Sequence, residues 1–200
     1  MIKAFLFDLG GVLFSNGTKK FISYISSQYN LNEENVREII DGNIGSQYRE
    51  AKISRDEFWK HVEEKLNLKG SSDELEKEWI NRYELIPETK EIISKLATNY
   101  RVYYLSDNVK ERVDKLDERF HFISIFTDGI FSHNVGVRKP DPKIYQYALE
   151  KTQTPPQETV FIDDKPIMLE PAKKLGMITI LFETPDKLIQ ELRKLNIINI

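Results

Sequence analysis

Short runs of apolar residues that end in polar or glycine residues recur along the chain and predict buried strands. The first run covers residues 3–7 and ends at Asp8, shortly before Gly10 and Gly11. Three further runs follow the same pattern, at residues 102–105, 159–162 and 177–181. A continuous apolar run bounded by turn residues is typical of a strand that is buried on both faces, as in a parallel sheet.

Between these strands, apolar residues recur at helical spacing and predict helices at 88–97, 109–120, 141–151 and 167–175. Pro87 and Pro142 suit a first helical turn, and Gly176 suits a helix C-terminus. Strands that alternate with helices of about ten residues predict right-handed crossover connections. The fold class is therefore expected to be α/β, with a doubly wound parallel sheet.

The stretch at residues 16–85 differs, because its apolar residues recur at helical spacing and contain no strand-like run. Asn32 and Ser54 occupy positions typical of helix N-caps, each followed by a glutamate within three residues. We expect four or five helices and no strand here. Because this block follows the first strand, we interpret it as a small helical cap inserted into a core made of residues 1–15 and 86–200.

Composition excludes several classes of function. The 200 residues carry a formal net charge of -3, which does not favour a nucleic-acid or anionic-membrane partner. The chain has no cysteine, so disulfides and thiolate sites are excluded, and its three histidines lack the spacing of a zinc site. No stretch approaches the roughly 20 apolar residues of a membrane span. We expect a cytoplasmic protein that is a monomer or a weak dimer.

Polar residues follow three of the predicted strands, at the edge where parallel sheets bind their ligands. They are Asp8; Ser106, Asp107 and Asn108; and Asp163 and Asp164. Lys139 adds a cation from the loop at 137–142. Carboxylates that converge at one edge repel one another unless a cation lies among them. Oxygen ligands without cysteine or clustered histidine favour a hard ion, and Mg²⁺ first.

The order of these residues resembles the haloacid dehalogenase-like hydrolase superfamily. Four segments resemble its four motifs in the correct order: 5–12, 105–108, 138–142 and 160–164. The resemblance covers nearly the whole chain and implies a Rossmann-like core. The helical block after the first motif is similar to the cap of the superfamily's phosphatase and dehalogenase branch.

The resemblance also implies a reaction, the Mg²⁺-dependent hydrolysis of a small phosphorylated metabolite, possibly a sugar phosphate. Asp8 would attack phosphorus and form an aspartyl-phosphate. Lys139 would neutralise the phosphoryl oxygens and hold Asp8 ionised. Ser106 would donate a hydrogen bond to the phosphate, and Asn108 is expected to face the same site.

The implied metal ligands are the carboxylates of Asp8, Asp163 and Asp164 and the backbone carbonyl of Gly10. Gly11 would let the backbone pass close to the phosphate. An alternative for Asp164 is a helix N-cap, and Asp107 or Asn108 could likewise cap the helix that follows them.

Gly10 is the main departure from the family pattern, because phosphatases of this superfamily usually carry an acid–base aspartate there. Two other functions therefore remain open. One is a 2-haloacid dehalogenase, although the Asp163–Asp164 pair disfavours it, and the other is a catalytically weak protein that binds a phosphorylated ligand.

Two further expectations concern residues beside the site. Arg138 is expected to face solvent. Tyr48, Arg49 and Lys52 form a polar cluster that could reach the substrate, although a solvated helix face is the favoured interpretation of these three residues.

Overall fold

The computed structural model describes residues 1–68 and 71–197. Five strands are present: β1 (Ala4–Phe7), β2 (Arg101–Ser106), β3 (Asp128–Phe131), β4 (Thr159–Asp163) and β5 (Ile178–Leu181). The α-helices are α1 (Gly17–Tyr29), α2 (Glu33–Asp41), α3 (Asn43–Arg49), α4 (Arg55–Leu66), α5 (Ser72–Asn81), α6 (Pro87–Ala97), α7 (Lys110–Phe120), α8 (Ser132–Val135), α9 (Pro142–Thr152), α10 (Pro166–Lys174) and α11 (Pro185–Lys194). The predicted strands and core helices all lie within one residue of these bounds.

The strands form one parallel sheet in the order β3-β2-β1-β4-β5, with β1 at its centre. Side chains of β1 alternate between the two faces of the sheet. Phe5 and Phe7 join a core cluster with α6, α7 and α11, whereas Ala4 and Leu6 join a second cluster with α9 and α10. Helices therefore cover both faces, which confirms the doubly wound α/β fold.

The strand pattern misses β3, which lies at one edge of the sheet. This strand has only four residues, Asp-Gly-Ile-Phe, so no apolar run is long enough to stand out. A side chain at Gly129 would meet the ring of Tyr104 at 2.2 Å, which explains the glycine within the strand. The apolar pattern also does not predict α11.

The segment expected to form the cap contains the five helices α1–α5 and no strand among its described residues. Asn32 and Ser54 are N-caps as expected, since their side chains accept hydrogen bonds from the backbone N–H groups of Asn35 and Glu57. The boundaries at residues 16 and 85 stay a prediction. Within the described ranges, no helix combines the length and the apolar character that crossing a membrane requires.

A buried ion pair joins the cap helices to the core. Arg112 of α7 lies 3.2 Å from Glu76 of α5, and both side chains are almost completely buried. Trp59 donates its indole N–H to the same glutamate at 2.7 Å, and the guanidinium stacks 3.7 Å from the ring centre of Trp79. These contacts satisfy most of the polar atoms of the pair, as burial of charge requires.

We expect Glu76→Gln to lower the free energy of unfolding by about 3 kcal/mol, because Arg112 would remain buried without an anionic partner. The double variant Glu76→Leu/Arg112→Met should recover much of this loss, since no unpaired charge then remains. Urea denaturation would measure both effects. Lys110→Met, which breaks the exposed Lys110–Asp114 pair on the same helix, is the control and should change little.

Candidate active site

Three parallel strands end at the same edge of the sheet and bring the predicted acids together. Asp8 follows β1 directly, Ser106 is the last residue of β2, and Asp163 is the last residue of β4. β2 and β4 are the two hydrogen-bonded neighbours of β1. Asp8, Ser106 and Asp163 are all buried, and all three line one cavity.

Lys139 lies between the acids. Its Nζ is 3.0 Å from Oδ1 of Asp8 and 2.6 Å from Oδ2 of Asp163, and the residue is 2% exposed. Burial alone lowers the pKa of Lys139, but the nearby charges of Asp163 and Asp8 outweigh it and raise that pKa above its usual value. The ammonium group therefore stays charged at neutral pH.

Asp8, Asp163 and Asp164 form a cluster in which one carboxylate oxygen of each residue lies within 4.8 Å of those of the other two. Burial raises the pKa of Asp8, while Lys139 lowers it and Asp163 raises it further. Burial and Asp8 likewise raise the pKa of Asp164, whose Oδ1 atom is buried without a hydrogen-bond partner. A hard divalent cation would satisfy that oxygen and stabilise all three ionised forms, so the donor set fits Mg²⁺.

Asp164 does not cap the helix that follows it. α10 begins at Pro166, its N-cap is Lys165, and no side chain caps it. The N–H of Lys165 instead donates to Oδ1 of Asp163 at 2.9 Å. The N-cap alternative for Asp164 is thus wrong, and its carboxyl group lies beside the chain at Gly11.

Gly10 and Gly11 differ in the space around them. A side chain at Gly10 would meet no atom within 4 Å, and Gly10 lines the cavity. At Gly11 the backbone has a φ of +93°, and a Cβ atom would lie 2.3 Å from Oδ2 of Asp164. Both the positive φ and the close approach of Asp164 therefore require glycine at position 11. At position 10, the surrounding space would also accept a residue with a Cβ atom.

Asp107 acts on the loop that carries Lys139 and does not cap α7. Its Oδ1 accepts a hydrogen bond from the backbone N–H of Lys139 at 3.0 Å, and α7 has Val109 as its N-cap without a side-chain bond. The capping alternative for Asp107 is thus wrong. Because this bond fixes the Lys139 backbone, it helps to place the ammonium group between the acids.

Asn108 is held on several sides and lines the cavity. Its Oδ1 accepts from the backbone N–H of Val109 at 3.0 Å and from Arg112 at 3.5 Å. Its own backbone N–H donates to Ser132 Oγ at 3.2 Å. With Oδ1 occupied in this way, the amide NH₂ is the group that Asn108 can offer to a ligand.

The expectation that Arg138 faces solvent is wrong. Its side chain is 25% exposed, donates to Ser46 Oγ of α3 at 2.6 Å, and lies 3.6 Å from Oδ2 of Asp107. Arg138 also lines the cavity. The sequence offers no signal for this contact, because Ser46 is 92 residues away along the chain.

The cavity has a volume of about 390 Å³ and is closed on one side by cap residues. The favoured interpretation of Tyr48, Arg49 and Lys52 as a solvated helix face is wrong for the first two, which are buried, and Arg49 is one of the cap residues that line the cavity. Tyr48 instead donates to Glu111, and Lys52 is exposed and pairs with Glu50. The other cap residues at the cavity are Asn16, Thr18, Lys19, Ile22, Arg37, Asp41 and Tyr83.

A spacing signal could have found some of these cap residues. Thr18 and Ile22 are four residues apart on α1, and Arg37 and Asp41 are four residues apart on α2. Residues at this spacing share one helix face. The sequence does not show which face points toward the core.

The chain belongs to the haloacid dehalogenase-like hydrolases, whose family model matches residues 2–176. This match confirms the resemblance drawn from the four motifs. The matched region contains Asp8, Lys139 and the acidic pair Asp163–Asp164, which lie together at the carboxyl edge of the sheet.

Two curated relatives match nearly the whole chain over nearly the whole of their own length. A sesquiterpene phosphatase of Aspergillus oryzae is 27% identical, with 96% of each chain covered. A D-ribitol-5-phosphate phosphatase of Bacteroides thetaiotaomicron is 24% identical over 90% of this chain and 91% of its own. Other relatives are much longer: the chain spans 36% of a drimenol cyclase of Aspergillus calidoustus and 15% of the mouse bifunctional epoxide hydrolase 2.

A solved structure gives the same fold. A haloacid dehalogenase family enzyme of Bacteroides thetaiotaomicron, in complex with magnesium and inorganic phosphate, is 26% identical. It superposes with a TM-score of 0.76 over 92% of this chain and 95% of its own.

The two glycines after Asp8 give a paired prediction for stability. Gly11→Ala should lower the free energy of unfolding by about 1–3 kcal/mol, because alanine is strained at positive φ and its Cβ meets Asp164. Gly10→Ala should change it by less than about 0.5 kcal/mol, since no atom is displaced. Urea denaturation in EDTA measures both variants without a metal contribution. Equal losses in the two variants would contradict this account.

Proposed function

We propose that the protein hydrolyses a small phosphomonoester, with Mg²⁺ as cofactor and through an aspartyl-phosphate intermediate on Asp8. One observation carries the proposal. Lys139 contacts both Asp8 and Asp163 on the wall of a small polar cavity, and an oxygen atom of Asp164 lies within 4.8 Å of oxygen atoms of both acids. Two curated relatives that match over nearly their own whole length are phosphatases by name, which supports the same reaction.

Asp8 is assigned as the nucleophile. Its carboxylate oxygen forms a bond to phosphorus while the ester P–O bond breaks and the leaving oxygen takes the electron pair. Water then attacks phosphorus, releases inorganic phosphate and restores the carboxylate. Lys139 keeps Asp8 ionised before attack and offsets the charge on the phosphoryl oxygens during it.

We assign the metal to Asp8, Asp163 and Asp164 with the backbone carbonyl of Gly10. When bound, Mg²⁺ would neutralise charge on the phosphoryl group and fix its orientation. The buried, unpaired Oδ1 of Asp164 supports this assignment, because such an oxygen is costly without a cation or a donor.

Donors around the cavity are assigned to the phosphate group. The hydroxyl of Ser106 and the amide NH₂ of Asn108 lie at the end of β2, where both residues line the cavity. The backbone at Gly11 can approach the phosphate closely, because no side chain intervenes. The cavity volume of about 390 Å³ favours a small metabolite over a phosphoprotein, and a sugar phosphate is compatible with its polar walls.

The residues assigned so far do not supply the proton that the leaving oxygen needs. Related phosphatases usually carry an acid–base aspartate at the position of Gly10, and glycine has no acid to offer there. We propose that water or a hydroxyl of the substrate itself supplies the proton. The reaction should therefore be slow on substrates with poor leaving groups.

Phosphate release from p-nitrophenyl phosphate should require both Mg²⁺ and Asp8. EDTA should abolish release and added Mg²⁺ should restore it, while Asp8→Asn should lower kcat by at least about 10³-fold because the nucleophile is gone. Asp56→Asn, at an exposed position of α4, is the control and should keep full activity.

Three other results would contradict this function. Full activity of Asp8→Asn would remove the nucleophile assignment. Halide release from 2-chloropropionate that ignores EDTA would favour a dehalogenase. Binding of Mg²⁺ and phosphate without any turnover would favour a protein that only binds a phosphorylated ligand.

Gly10→Asp should raise kcat on alkyl phosphates, by up to about 10²-fold, because it supplies the missing acid. A Cβ atom at Gly10 would have no other atom within 4 Å, so the backbone there can carry a side chain. Gly10→Asn is the matched control, since it has the same size and no proton to give at neutral pH. Measurement of kcat on an alkyl phosphate and on p-nitrophenyl phosphate separates the effects. No gain, or an equal gain with asparagine, would contradict the assignment.

A further inference from the structure

An ion pair lies on the cap side of the cavity, away from the strand ends. Asp41 is the last residue of α2, and Arg49 is the last residue of α3. Nη2 of Arg49 is 2.8 Å from Oδ1 of Asp41, and both residues line the cavity. The Arg49 side chain is 6% exposed and the Asp41 side chain is 38% exposed, so the carboxylate is the more accessible member.

Hydrogen-bonding capacity is left over on this pair. Among residues 1–68 and 71–197, no side chain or backbone group bonds Oδ2 of Asp41, and Nη1 of Arg49 is buried without a partner. A buried guanidinium N–H without an acceptor is unfavourable in free energy. A carboxylate oxygen that loses its water when a ligand enters is also unfavourable, unless the ligand donates a hydrogen bond to it.

The charge of the pair restricts what can lie against it. Asp41 repels an anion in its immediate neighbourhood, whereas Lys19, Arg37 and Arg138 line the same cavity and attract one. Arg49 neutralises that carboxylate, so the pair as a whole is dipolar. A dipolar pair with an open acceptor matches a neutral group that donates hydrogen bonds, which describes a hydroxyl.

Hydrocarbon is a poor match for the same wall. Of the aliphatic side chains in the described part of the protein, only Ile22 and Met168 line this cavity. A prenyl chain would remove water from Asp41 and Arg49 and return no hydrogen bond, which is unfavourable for charged groups. The walls therefore favour a hydroxylated leaving group over an apolar one.

We propose that Asp41 and Arg49 form a subsite that binds hydroxyl groups at the end of the leaving group remote from the phosphate. The substrate class is then a phosphorylated polyol or sugar. This inference rests on the proposed phosphatase function and deepens it. Asp41 accepts a hydroxyl hydrogen bond, and Arg49 orients and neutralises Asp41.

A comparison of two substrates tests the subsite in the unmodified protein. Ribitol 5-phosphate and 1-pentyl phosphate have the same five-carbon chain and differ in their hydroxyl groups. We expect kcat/KM with Mg²⁺ to be at least about tenfold higher for ribitol 5-phosphate, since hydrogen bonds to charged groups are lost with the alkyl chain. Equal values, or a preference for pentyl phosphate, would overturn the proposal.

A variant at the more exposed residue assigns the preference to the cap. Asp41→Leu should remove most of the preference for ribitol 5-phosphate over 1-pentyl phosphate, and the ratio of the two kcat/KM values does not depend on a loss that the variant suffers on both substrates. Asp56→Leu, on the exposed face of α4, is the matched control and should keep the preference. An equal loss on both substrates in Asp41→Leu would indicate a purely structural role and overturn the assignment.

Two further results would distinguish a failure of the hydroxyl subsite from a failure of the phosphatase function. A preference for fructose 1,6-bisphosphate over fructose 6-phosphate would show that the cap side binds an anion, which overturns a hydroxyl subsite while leaving the phosphatase function intact. An absence of turnover on every substrate, p-nitrophenyl phosphate included, would overturn the proposed function and this inference together.

Discussion

The bonds from Lys139 to Asp8 and Asp163 are the interaction on which the rest of the site depends. Burial raises the pKa of Asp8, and an uncharged carboxyl group is a poor nucleophile and a poor metal ligand. Lys139 is the nearest cation to oppose that shift, and it is itself buried only because two acids surround it. Each group thus requires the others to remain charged away from water.

The fold supplies this arrangement through strand order. Placing β1 between β2 and β4 brings Asp8 beside the ends of both neighbours. Lys139 comes from the loop before α9, and its backbone is fixed by Asp107 after β2. The cap helices then close the cavity and are joined to the core by the buried Arg112–Glu76 pair. In the proposed function, the reacting groups therefore lie on the core and the groups that would recognise the leaving group lie on the predicted cap.

Most of the core and its strand-end residues could be predicted from the sequence, and the physical reason is local. Buried parallel strands appear as continuous apolar runs, and the polar residues directly after them must lie at one edge. Asp8, Ser106 and Asp163 follow from that rule. The edge strand β3 does not, because four residues that include a glycine carry too little pattern.

The contacts between cap and core could not be predicted, because they depend on packing across long sequence separations. Arg138 contacts Ser46, and Asp41 lies on the cavity only because α2 and α3 pack above the sheet edge. Their side-chain types are common on solvated helix faces. The residues after the strands could therefore be predicted from the sequence, whereas the cap residues that line the cavity could not.

The most direct test of the central claim is to look for the phosphoryl group on Asp8 itself. The protein would turn over p-nitrophenyl phosphate with Mg²⁺, be quenched in acid at short times, and be digested for mass spectrometry. Trypsin releases residues 4–19, in which Asp8 is the sole carboxylic side chain. The account predicts one phosphoryl group on Asp8 in this peptide, which is absent from Asp8→Asn. Phosphate release with no phosphoryl group on Asp8 at any quench time would contradict it.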